Sequence, residues 1–250
     1  MKRSINTALM ICAALASSVS FAEESSDPYQ KKIEAMLQKQ THPLTLQQKN
    51  IAMIAAYAAA GDLPGLNAAL NRSLDAGLTI SDCREVLVQL YAYAGFPRSL
   101  NALGELMKVL DARRSQGKHD AAGKEQGPIP TPEDMLATGT RNQTALVGSP
   151  VTGSLFEFAP AIDQYLKGHL FGAIFARDSI DWKSRELATV GALAAMNGVE
   201  PQLKAHLGIS MNVGLSFSQL AELVPFFREQ GQANVAQRLE AVLESVRNDH

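Results

Sequence analysis

Two side chains in the C-terminal half of the sequence combine the types and spacing that acid–base chemistry needs. Glu186 stands 12 residues before Gly198, and His206 stands eight after it. The glycine closes one helical pattern and opens the next, so the two groups belong to consecutive antiparallel helices. At about 1.5 Å rise per residue they lie about 18 Å and about 12 Å from the turn. A tilted helix pair and long side chains bring such groups within reach, directly or through a water. A carboxylate beside an imidazole is ordinary equipment for general acid–base catalysis. The same residues also read as a surface glutamate and a histidine hydrogen-bonded inside a bundle, and spacing alone leaves both readings open.

Other chemistries find little to work with. The sequence holds no Gly-rich phosphate loop, no Cys-x-x-Cys and no His-Glu-x-x-His. Its five histidines, His42, His119, His169, His206 and His250, are scattered, so no metal and no cofactor are expected. Of the two cysteines, Cys12 and Cys83, Cys83 is either a buried small hydrophobe or an exposed reactive thiol. Gln89, Tyr91 and Tyr93 could line a pocket next to the Glu–His pair, with His169 joining from an intervening helix. Residues of these types are also common at the rim of a core.

The elements that must position these groups come twice. Residues 61–85 and 198–222 share Gly61/Gly198, Pro64/Pro201, Leu66/Leu203, Ala68/Ala205, Leu70/Leu207, Ser73/Ser210, Gly77/Gly214, Leu78/Leu215, Ser81/Ser218 and Glu85/Glu222, all at an offset of 137. Glycines and prolines in register mark the same turns twice. In the first copy the spacing predicts helices over 45–60, 63–76 and 82–93, then one from Pro97 onward. In the second it predicts 182–197, 200–213, 217–230 and 232–247. Gly61, Gly77, Gly198 and Gly214 end helices, and Gly95-Phe96-Pro97 breaks one. A short helix over 28–40 precedes the first copy, and one amphipathic helix over 156–176 leads into the second. The stretch 115–134 is polar and rich in Gly and Pro, which reads as an exposed connection. The domain reading is a first unit over 28–114, a linker over 115–150 and a second unit over 151–248. The class is all-α: two tandem helical units packed as a bundle. Composition agrees, with 46% hydrophobic residues but only 6% aromatic, a bias toward helices rather than β-sandwiches. A net charge of −2 provides no steering field for nucleic acid.

The first 22 residues read as an address. Lys2 and Arg3 precede an apolar run, and Ser20-Phe21-Ala22 offers small residues where a signal peptidase cuts. The run is shorter than the roughly 20 residues needed to span a bilayer. Cleavage removes Cys12, moves the net charge from −2 to −4, and leaves a secreted, periplasmic protein with no membrane attachment.

The run DWKSRELATVGALAAMNGVEPQLKAHLGISMNVGLS over 181–216 resembles the core of the carboxymuconolactone decarboxylase family, and DAGLTISDCREVLVQLYAYAGFPRSLNAL over 75–103 is similar to the later part of the same unit. The resemblance implies an alkylhydroperoxidase D-like all-α fold and a homo-oligomer, commonly a trimer or hexamer. It also implies a small-molecule substrate, with γ-carboxymuconolactone decarboxylation as the founding reaction. His206 would shuttle the proton and Glu186 would orient the imidazole, while Arg185 or Lys204 would hold a substrate carboxylate or stay solvated. The founding pathway is cytosolic, so an exported member implies another substrate. The family's thiol peroxidases use a Cys-x-x-Cys ahead of the histidine. Here those positions are Val199 and Gln202, which leaves Cys83 as the only thiol for a peroxidase-like role. Copy one has Ala69 where copy two has His206, and Lys49 or Asn50 where copy two has Glu186. The remaining alternative is therefore a non-catalytic oligomeric binding protein.

Overall fold

The first and third helix starts of copy one have capped counterparts in copy two, and local hydrogen bonds explain why. The computed structural model describes residues 42–248, and no strand occurs among them. The expected signal segment and the expected helix over 28–40 lie outside the described residues. Helix α1 (Leu46–Ala60) starts at Thr45, whose side chain accepts from the Gln48 amide while the Gln48 side chain accepts from the Thr45 amide. This reciprocal box satisfies two otherwise orphaned donors. Helix α2 (Leu63–Asp75) begins with Asp62 as cap and Pro64 in its first turn. Helix α3 (Ile80–Gln89) uses the Thr79–Asp82 box. Helix α4 (Tyr91–Ser115) follows directly, interrupted by Gly95 at φ 81° and ψ 162°, a conformation that favours glycine.

The stretch expected as an exposed connection between the copies is exposed over most of 115–134, but it does not hang free. Residues 118–131 carry no helix, but they are tied down. The amides of Ile80 and Ser81 donate to the carbonyls of Ala121 and Ala122, each at 2.9 Å. Arg113 grips Asp120 at 2.6 Å. Lys124 pairs with Asp178 at 2.7 Å, and Asp178 also accepts from the Gly127 amide. Lacking helix hydrogen bonds, the Gly- and Pro-rich chain finds these partners instead. The rest of the supposed linker is helix α5 (Pro132–Val147), with Pro132 opening it, Glu133 and Asp134 in its first turn and Gly148 closing it.

The single helix expected over 156–176 is broken into α6 (Ser154–Phe158), α7 (Pro160–Tyr165) and a π-helical segment, Leu166–Ile174. Two glycines let this segment press against α5. A Cβ at Gly139 would sit 1.6 Å from the Lys167 carbonyl oxygen, and one at Gly172 would sit 2.3 Å from that of Met135.

Copy two then runs through α8 (Trp182–Ala195), α9 (Glu200–Asn212), α10 (Phe217–Ala221), α11 (Leu223–Glu229) and α12 (Ala233–Asn248). The helix expected over 217–230 is split at Glu222. The Ser216–Gln219 box starting α10 repeats the Thr79–Asp82 box of α3. No helix among the described residues is long and apolar enough to cross a membrane.

Helices α1 and α8 form the central crossing between the copies. At Gly191 a Cβ would lie 2.1 Å from the Ala52 carbonyl oxygen, so the backbones meet without a side chain between them. One core spans both copies, from Met53, Ile54, Leu66 and Leu70 to Leu187, Leu203 and Leu207. A smaller cluster around Leu146, Phe171, Phe175 and Ile209 sits under α5 and the π-helical segment. A charge clasp repeats across the crossing. Glu85 of α3 bonds Arg185 of α8 at 3.3 Å, and its twin Glu222 bonds Lys49 of α1 at 2.8 Å.

Candidate active site

The clasp and the caps set the register between the two first helices. Thr45 caps α1 and Asp181 caps α8. Lys49 and Arg185 then fall four residues past each cap, and Asn50 matches Glu186. Copy two has one residue more between cap and glycine, and its placement is visible. Helix α1 runs straight into Gly61, whereas α8 stops at Met196, which is extended at ψ 149°. Asn197 and Gly198 complete the turn, with Gly198 at φ 76°. The extra residue is therefore absorbed after the helix, and α9 returns beside α8 with its histidine aligned to the glutamate.

His206 Nδ1 lies 2.9 Å from Glu186 Oε2. Both residues are buried: Glu186 is wholly enclosed, and the His206 side chain retains 10% of its surface. With Glu186 ionised, Nδ1–H donates to the carboxylate and Nε2 keeps its lone pair for other work. The second carboxylate oxygen, Glu186 Oε1, has no hydrogen-bond partner among the described residues.

Copy one builds the surroundings. Tyr93 meets His206 edge-on, ring centres 5.6 Å apart at 79°, and its buried hydroxyl has no hydrogen-bond partner among the described residues. Burial, then the Glu186 charge, push its ionisation far above the usual phenol range and outweigh the smaller pull of the neighbouring Thr189 hydroxyl, so the group stays an O–H donor. Gln89 reaches across to α8. Its amide donates to the Arg185 carbonyl and to Thr189 Oγ1, each at 2.8 Å, and its oxygen accepts from Arg185 Nη1 at 3.2 Å. These bonds fix the turn of α8 that carries Glu186.

Arg185 is not a solvated residue or a free anchor for a substrate carboxylate, as its place beside Glu186 suggested. It is fully buried, and Nη2 is divided between Glu85 and the Arg177 carbonyl at 2.9 Å. Arg177 in turn forks onto Glu85 through Nε at 2.8 Å and Nη2 at 2.6 Å. Burial alone would raise the Glu85 carboxyl. The Arg177 bonds, with Ser179 and the charges of Arg177 and Arg185, outweigh burial and hold it below its ordinary value. Glu85, Arg177, Thr189 and Ser210 were not singled out from sequence as site residues. For Glu85 and Ser210 the signal was present, since each is identical to its repeat partner.

The other expected pocket residues go elsewhere. Tyr91 stacks on Phe96 at 4.6 Å and meets His169 at 5.3 Å, and His169 is exposed. Cys83 is 1% exposed within the main core, and burial pushes its thiol up to about 12, with Asp82 and Asp120 adding to it. It is a packed hydrophobe, not a reactive thiol. Trp182 donates from Nε1 to the Phe175 carbonyl at 2.9 Å. A cleft of about 740 Å³ opens beside it, lined by Pro128, Phe175, Arg177 and Asp181 among others, but neither Glu186 nor His206 lines it.

The sequence profile of the carboxymuconolactone decarboxylase family matches residues 28–107 and 160–226, one region in each copy. No curated protein matches the chain.

Proposed function

Because the chain belongs to the carboxymuconolactone decarboxylase family, we propose that it is a cofactor-free acid–base enzyme acting on a small carboxylated, lactone-like molecule. The observation that carries this reading is the 2.9 Å contact between His206 Nδ1 and a fully enclosed Glu186. A buried carboxylate fixes the imidazole tautomer and stabilises the imidazolium when it forms. Nε2 is then the nitrogen that faces the substrate.

For a lactone bearing its carboxylate on the saturated ring carbon that a ring double bond links to the carbonyl, the step balances without any further reagent. The C–C bond to the carboxylate breaks and CO2 leaves. The electron pair enters the ring as a dienolate. Nε2 first takes a proton from water, forming the imidazolium that Glu186 stabilises, and a ring carbon then takes that proton, which returns His206 to the neutral imidazole. The N-terminal segment supports export, so we infer that the substrate is met outside the cytosol. The single-thiol peroxidase alternative has no support from Cys83, which is buried and protonated at neutral pH.

The test is turnover of γ-carboxymuconolactone and related carboxylated lactones by the purified protein, with CO2 release and product followed by NMR. His206→Ala is expected to abolish turnover while the helical signal persists. Turnover that survives His206→Ala overturns the assignment. Binding without turnover returns the protein to the non-catalytic class.

A further inference from the structure

We propose that Tyr93, a residue of copy one, completes the copy-two site by donating its O–H to the oxygen on which negative charge develops in the substrate. The inference rests on the acid–base reading above and adds the group that would stabilise the dienolate.

Three observations converge. The first is the buried Tyr93 hydroxyl beside the His206 ring; it has the Thr189 hydroxyl as a neighbour but makes no hydrogen bond of normal geometry. A donor buried without a partner costs free energy in the free protein, and groups of that kind gather where a ligand will supply the missing bond. The second is the asymmetry of an identical serine pair. Ser73 donates to the carbonyl of Ala69, the counterpart of His206, at 2.7 Å. Its twin Ser210 lies one turn after His206, is fully buried and makes no hydrogen bond among the described residues. The third is Glu186 Oε1, also enclosed and unpartnered. Unpartnered buried polar atoms thus collect around His206, and copy one has no such collection around Ala69 among the described residues.

The local backbone explains how Tyr93 gets there. Gly95 leaves the helical region two residues later, so Tyr93 ends a short turn instead of continuing along α4. It packs against both hydrophobic clusters. In the proposed step the carboxylate C–C bond breaks and its electron pair runs through the ring double bond to the lactone carbonyl oxygen. That oxygen accepts the Tyr93 O–H as CO2 leaves. The pair then returns to carbon, which takes the proton from Nε2. Tyr93 keeps its own proton throughout, so it polarises and does not exchange.

The experiment compares wild type with Tyr93→Phe, which deletes only the hydroxyl. It measures kcat and KM on the carboxylated lactone that wild type turns over fastest, γ-carboxymuconolactone included, and the melting temperature without ligand. It also measures binding of 5-oxotetrahydrofuran-2-carboxylate, a saturated lactone acid that cannot delocalise the charge. Loss of one such donor costs about 10²–10³-fold in kcat. The expected result is a fall of that size, probe affinity within about threefold of wild type, since the bond forms with the charge, and a melting temperature that does not fall. An unchanged kcat overturns the donor role and leaves the acid–base reading standing. A melting temperature lowered by several degrees also overturns it, because the hydroxyl would then be a structural partner. A wild type that neither turns over the substrate nor binds the probe overturns both.

Discussion

Glu186→Gln removes one charge and keeps an acceptor of nearly the same shape. In the native protein the carboxylate and the imidazole are 2.9 Å apart at their nearest atoms, which puts the charge centres about 4 Å apart once the imidazolium forms. At an effective dielectric near 20, that separation is worth about 4 kcal/mol. At about 1.4 kcal/mol per tenfold, the variant should lose about 10³ in kcat. Two stability effects nearly cancel. The bond to Nδ1 weakens from charge-assisted to neutral, while a buried charge with an unpartnered Oε1 disappears. The net change should stay within about 1 kcal/mol, so lost activity will not reflect unfolding. The assay is decarboxylation of the lactone that wild type turns over fastest, in wild type, Glu186→Gln, His206→Ala and the double variant, with urea unfolding of each. Residues that act as a unit are non-additive, so the double variant should be no slower than His206→Ala. A Glu186→Gln loss under about tenfold, or a double variant far slower than His206→Ala, would refute the reasoning.

Three further outcomes test the frame around the site. Gly191→Ala should lower stability by at least about 2 kcal/mol, because its Cβ would enter the space of the Ala52 carbonyl oxygen, a backbone atom that cannot turn aside; an unchanged urea midpoint would contradict the close crossing of α1 and α8. Glu85→Gln should cost about 3 kcal/mol at pH 7, since it leaves Arg185 buried without its carboxylate. The Glu85 carboxyl is held below its ordinary value of 4.5, so its stabilisation is present above that pH and is lost as pH falls below it. The gap between wild type and Glu85→Gln in urea unfolding should therefore narrow on acidification, and a constant gap would contradict the assignment. Cys83, pushed up to about 12, should resist iodoacetamide at pH 7.5 in the folded protein and react in urea, with mass spectrometry locating the adduct; alkylation of the folded protein would contradict its burial.

Much of the helical plan was legible because glycine, proline and capping residues act locally. Gly61 ends α1 and Gly198 completes the turn after α8, each where the chain needs a left-handed residue, and Thr45, Thr79 and Ser216 cap the helices that follow them. Helix α5 was hidden inside the supposed linker. Thr138, Gly139, Thr140 and Asn142 are poor helix formers, and what holds the helix is the π-helical segment packed against Gly139. That packing partner is remote in sequence and invisible to any window. The break of 156–176 into α6, α7 and π-helix has the same origin, in the fit of Gly172 against Met135.

The amino-acid sequence by itself determined the duplication, the all-α class, the family and the identity of the Glu186–His206 pair, because each depends on residue types and their spacing along the chain, whether within a helix pair or between two copies at a fixed offset of 137. Tertiary structure alone decided the rest. It absorbed the extra residue of copy two in the turn at Met196–Gly198, and so settled that the two side chains touch. It buried Arg185 against Glu85 instead of leaving it for a substrate, it sank Cys83 into the core, and it set Tyr93 rather than Tyr91 beside the imidazole. These outcomes rest on which helix lies against which. That is fixed by the crossing of α1 on α8, where backbone meets backbone at Gly191 and Ala52, a contact between residues that no local pattern connects.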